Sequence, residues 1–146
     1  MAVDVTAEIV IRCPVAEVAA YAGNPTNAPH WYANIRSVDF KTPPPLAKGS
    51  QMAFVATFLG RTLSYTYEVV ELVTGERLTM RTAEGPFPME TTYTWTSLAP
   101  DETRMTMRNA GTPSGFAPIA TPLMASSMRR AMTKDLGALK RILEHR

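Results

Sequence analysis

Residues 124–143, MASSMRRAMTKDLGALKRIL, set Met124, Met128, Met132, Leu136, Leu139 and Leu143 at steps of 4, 4, 4, 3 and 4. That spacing puts all six on one stripe of an α-helix. Arg129, Arg130, Thr133, Lys134, Lys140, Arg141 and Glu144 fall elsewhere around it. Pro118 and Pro122 confine the start, because proline suits a first helical turn and not an interior. The pattern predicts one long amphipathic helix from about Thr121–Pro122 to the end of the sequence. Such a helix must bury its stripe against another layer, so the rest of the chain has to supply a complementary face.

The preceding sequence reads as strands. Residues 3–12 alternate, with Val5, Ala7, Ile9 and Ile11 on one side, until Cys13-Pro14 stops them. Val15 to Tyr21 is a short helical run ended by Gly23-Asn24-Pro25. A second short helix is expected from Asn27 or Ala28 towards Asn34, with Pro29 in its first turn. Strand segments follow at 35–41, 51–59, 62–72, 77–84, 89–98 and 103–110, separated by glycine- and proline-containing turns. The order is strand, two short helices, six strands and a long helix. It predicts an α+β fold in which a curved antiparallel sheet of seven strands wraps the C-terminal helix. No repeat or long linker divides the chain, so residues 1–146 are expected to form one domain.

Composition narrows the function. Fifteen basic and 13 acidic residues give a net charge of +2, too even for a protein devoted to a nucleic-acid backbone. One cysteine cannot form an internal disulfide, and one cysteine with two histidines does not make the usual structural zinc site. Neither a metal nor a cofactor is expected. The first residues carry Asp4 and Glu8 and no basic run, unlike a secretory signal, and no apolar stretch approaches the ~20 residues of a membrane span. A cytoplasmic protein without stable membrane insertion is expected. Residues 129–146 hold six basic and two acidic residues, which reads as a solvated helix face or, alternatively, as attraction to an anionic membrane or partner.

Strand alternation assigns the inner face. Met52, Phe54, Ala56 and Phe58 share one side of their strand, as do Leu63, Tyr65, Tyr67 and Val69 of the next. Leu78, Met80 and Thr82 follow, then Met89, Thr91, Tyr93 and Trp95, then Met105, Met107 and Asn109. This face is rich in methionine and aromatic residues, and Met124 and Met128 of the helix oppose it. Methionine fills irregular space, and tyrosine and tryptophan carry polar tips on apolar bodies. The lining suits a small apolar ligand, or an ordinary packed core of unusual composition. A ligand cavity would have ~300–1,000 Å³. Loops 85–88 and 112–116, each with a phenylalanine among turn formers, are expected at its mouth.

The chain resembles the START-like, or helix-grip, superfamily, which includes the birch-pollen-allergen proteins and the polyketide cyclase/dehydrase-like family. The resemblance rests on Ile9-Val-Ile-Arg-Cys-Pro14 before Val15-Ala-Glu-Val18, on Trp31 before Asn34-Ile35, and on Lys48-Gly49. It continues through Tyr67-Glu-Val-Val-Glu71 leading to Thr74-Gly-Glu-Arg-Leu78, Thr103-Arg-Met-Thr-Met107, and Asp135-Leu-Gly-Ala-Leu-Lys140 with Leu143-Glu144. It implies a helix-grip fold with a deep hydrophobic cavity between helix and sheet. It also implies binding of a lipid, polyketide or similar apolar metabolite, or cyclase, aromatase or dehydratase chemistry in the same cavity. A regulatory module acting through its surface is a third reading, but no strand shows an apolar outer face.

The residues expected to meet a ligand are Trp31, Phe54, Phe58, Tyr65, Tyr67, Met80, Tyr93, Trp95, Met107, Asn109, Phe116, Met124 and Met128. His30 is the one loose acid–base candidate, its ordinary pKa lying near neutrality. Capping or plain solvation accounts for it more simply than an acid–base role. Glu68 and Glu90 point outward, while Glu71 and Glu84 share the inner parity only at strand ends. Cys13 reads as a small buried hydrophobe. Without an inward ionisable pair, binding is favoured over catalysis.

Overall fold

The computed structural model describes residues 3–112 and 121–146. Strand β1 (Val3–Ile11) leads into helix α1 (Val15–Ala22), a 3-10 turn at Pro25–Asn27 and the single-turn helix α2 (Ala28–Trp31). Strands β2 (Ile35–Phe40), β3 (Gln51–Phe58), β4 (Arg61–Val73), β5 (Arg77–Glu84), β6 (Met89–Ala99) and β7 (Glu102–Gly111) follow, then helix α3 (Thr121–Glu144). The strands form one curled antiparallel sheet of order β1-β7-β6-β5-β4-β3-β2. The expected α+β helix-grip architecture is therefore the one found.

Local chemistry explains the pieces. Pro14 stands at the N-cap of α1 in extended geometry, and Gly23 closes that helix with its N–H bonded to Ala19 O. The β3–β4 hairpin pairs Phe58 with Arg61 around Leu59 and Gly60, whose φ values are 49° and 77°. Both are left-handed, as the tightest hairpin turn requires. Helix α2 is shorter than the sequence suggests. Tyr32 already adopts extended backbone (ψ 124°), so the chain leaves the helix directly after Trp31.

The stripe of α3 is buried in full, with Met124, Met128, Met132, Leu136, Leu139 and Leu143 all inside. Inner-face alternation holds along β3 to β7. It slips at the end of β7, where Ala110 and Gly111 are both buried, and at bulges. One, between Thr66 and Tyr67, lets both neighbours be buried; another, between Val69 and Glu71, turns Glu71 out to an ion pair with Arg77. Outside, Arg81 pairs with Glu90 and Arg108 with Asp4. The helix is fastened at its C-terminal end, where Lys140 Nζ donates to Val10 O (2.9 Å) and Arg12 N donates to a Glu144 carboxylate oxygen (2.8 Å). The basic tail is thus partly engaged with β1. No helix among the described residues is long and apolar enough to cross a membrane.

Candidate functional site

Between the sheet and the N-terminal half of α3 lies a cavity of about 160 Å³. It is smaller than the expected ligand range, because large side chains from both layers reach into it. β3 contributes Phe54 and Phe58, β4 Tyr65 and Tyr67, β5 Met80, and β6 Tyr93. β7 adds Met107 and Asn109, and α3 adds Met124 and Met128. These ten of the anticipated residues stand together in the wall.

Two others do not. Trp95 has the inner parity but lies beyond the cavity, where α1 covers the sheet. A Cβ added to Gly23 would come within 3.3 Å of its ring, so the indole fills the space between β6 and α1. Trp31 is likewise core: it packs against Tyr32 and Tyr93 at centroid distances of 4.2 and 5.8 Å. Both indole N–H groups are buried without a hydrogen-bond partner among the described residues. His30 is exposed on the outer side of α2 and takes no part in the wall. Phe116 lies outside the described residues, as does most of the loop 112–116. From the other expected mouth loop, Pro86 and Phe87 do stand in the wall.

The cavity also holds residues the sequence reading passed over. Tyr32 follows directly on α2 and turns its ring inward, and its hydroxyl is hydrogen-bonded to that of Tyr93 and donates to Met107 Sδ (3.9 Å). Asp135 lies on α3, three residues after Met132 and four before Leu139, and is 4% exposed. That spacing put it on the buried stripe, and the signal was legible. Ala33 N donates to its Oδ1 (3.1 Å), while Oδ2 has no partner among the described residues.

Polar groups gather at two stations, while Asn34, Thr57, Tyr65 and Thr82 stand elsewhere in the wall. At one, Thr91 Oγ1 donates to Asn109 Oδ1 (2.6 Å) and therefore accepts from the Tyr67 hydroxyl (2.9 Å). This leaves the amide N–H groups of Asn109, itself a wall residue, without a partner among the described residues. At the other, Asp135 and the Tyr32–Tyr93 pair converge, close enough that the Asp135 charge acts on Tyr93. Burial pushes the hydroxyls of Tyr32, Tyr65 and Tyr93 well above the usual tyrosine range, and that of Tyr67 up to about 12. All four stay neutral near pH 7. Burial also raises Asp135 to about 6, against the opposing effects of the Ala33 N–H bond and the Lys134 charge. Among the described wall residues, Asp135 is thus the group whose charge changes near neutrality. No Lys, Arg or His stands in that wall.

Comparison with known proteins places this geometry. The family model described as "Polyketide cyclase / dehydrase and lipid transport" matches residues 2–144. No curated protein matches the chain. Among solved structures, a START superfamily protein from Mycobacterium smegmatis superposes with a TM-score of 0.85 at 14% identity, covering 97% of each chain. The Zhui aromatase/cyclase from a Streptomyces species gives 0.78 at 14% identity, over 98% of this chain and 94% of the other. A major latex-like protein from Panax ginseng gives 0.70 at 13% identity, over 96% of each. At these identities the likeness is one of fold.

Proposed function

The chain belongs to the polyketide cyclase/dehydrase and lipid transport family, and on that premise we propose that it binds a compact apolar molecule, between benzene and indole in size, between the sheet and α3. The observation that carries this is a cavity of about 160 Å³ walled mainly by aromatic, methionine and other apolar side chains, with no basic side chain in the described wall. A dry cavity of roughly 150 Å³ is known to accept benzene. A ring-sized ligand removes ~200 Å² of apolar surface from water, and at ~25 cal/mol per Å² this gives ~5 kcal/mol, or sub-millimolar binding from area alone. The Asn109 amide and Asp135 then fix orientation and strengthen binding.

A second reading is cyclase- or dehydratase-type catalysis on such a ligand. One observation favours it: Asp135 opens onto the cavity with a pKa raised to about 6, suited to taking up and returning a proton near neutrality. The tyrosines hydrogen-bond but do not serve as bases at that pH.

Calorimetric titration with indole tests the binding reading. The wild-type chain is expected to bind it with Kd between about 10 μM and 1 mM. Met128→Trp, which fills the space, is expected to abolish binding. Equal binding by the two proteins would contradict the proposal.

A further inference from the structure

Asp135 sets a chemical demand that no residue of the described wall meets. The residue is 4% exposed and lines the cavity, with one carboxylate oxygen held by Ala33 N and the other without a hydrogen-bond partner among the described residues. No basic side chain stands in the described wall, and residues 113–120, which follow the wall strand β7, contain none in their sequence. A buried carboxylate with no counter-charge is costly, and a group that brings positive charge relieves the cost. The walls around it are aromatic. Phe54 and Tyr65 stack in parallel at 5.4 Å, Tyr67 stands edge-on to Tyr65 at 5.1 Å, and Tyr32 and Tyr93 close the Asp135 end. Faces of such rings attract cations, most strongly where water is excluded.

From this carboxylate inside an aromatic box, resting on the binding reading above, we infer that the cavity selects a small aryl- or alkyl-amine, its ammonium group on Asp135 Oδ2 and its apolar body against Phe54, Tyr65 and Met128. A neutral alcohol of the same shape still donates one hydrogen bond to the carboxylate but gains neither the ion pair nor the ring attraction. A carboxylate of the same shape is repelled. The groups facing Asp135 from other elements are Tyr32, following α2, and Tyr93 of β6; Lys134 acts from its own helix. The tyrosines remain neutral, so the amine preference follows the charge of Asp135.

The test compares phenethylamine, 2-phenylethanol and 3-phenylpropionate by calorimetry at pH 7.5, with indole as the neutral reference. The amine is expected to bind about tenfold or more tighter than the alcohol, and the acid not at all. Asp135→Asn, which keeps an acceptor for Ala33 N, is expected to unfold cooperatively and to bind amine and alcohol alike. Should that variant not fold, a pH series on the wild-type chain decides. Amine affinity is expected to fall between pH 7.5 and 5 as Asp135 takes up its proton, while indole affinity stays level. If indole binds but the alcohol equals the amine, or if the amine advantage survives in Asp135→Asn or at pH 5, the inference is overturned and the binding reading stands. If indole itself does not bind, both fall.

Discussion

Asp135 also carries a cost in stability. Its folded pKa of about 6 stands above the ordinary 3.8. Between those values the folded chain holds more protons than the unfolded one, so the stability linked to this group is complete below pH ~3.8 and is lost as pH rises through about 6. Two pH units at ~1.4 kcal/mol each put the loss at about 3 kcal/mol by pH 7.5. Asp135→Asn is accordingly expected to stabilise the chain by about 1–3 kcal/mol at pH 7.5 and by little at pH 4, read from thermal unfolding at the two values. Stabilisation on removing a group marks a residue kept for a task other than folding. Its position on the stripe was readable from Met132 and Leu139. An acid among Lys134, Lys140 and Arg141 nonetheless reads first as part of a solvated charged face. Trp95 shows the opposite limit: parity gives its side of the sheet but not how far along the strand the cavity runs. Trp95→Ala is expected to lower stability by about 3–5 kcal/mol, seen in urea unfolding, and to weaken ligand binding far less than Tyr67→Ala does.

At the scale of elements, period decided almost everything. The 3.6-residue spacing located α3 and its buried side, and the two-residue alternation located the strands and their inner faces. Boundaries and bulges escaped, because they depend on pairing rather than on composition. The pairing of Val69 and Glu71 with β5 shifts by one residue, which is why inner parity failed for Glu71. Gly111, at the end of β7, is fixed by close approach. A Cβ there would stand 2.7 Å from Pro88 O and 2.2 Å from Met89 Sδ. The methionine can move but the carbonyl cannot, since it also accepts from Thr112 N. Gly111→Ala is expected to cost about 1–3 kcal/mol in chemical denaturation and to loosen the loop that carries Phe87. On α3, Leu139 is fully buried, and Leu139→Ala is expected to cost about 2–5 kcal/mol by the same measurement.

For the whole molecule, the order of elements alone implied a sheet gripping a helix, since each exposes one apolar face that the other can cover. The size of the space left between them was not legible. It is a small difference between two large volumes, set by the rotamers of Phe54, Tyr65, Met128 and Phe87, which periodicity does not specify. The reduced volume bears on the proposed function, because it leaves less room for extended lipids and polycyclic ligands than for a compact one the size of benzene or indole. The central claim is that this space is a ligand site rather than a packing remainder. The most direct measurement is a crystal structure of the chain saturated with indole. The account predicts one indole bounded by Phe54, Tyr65 and Met128. Indole confined to the outer surface, with those side chains closed on one another, would contradict it.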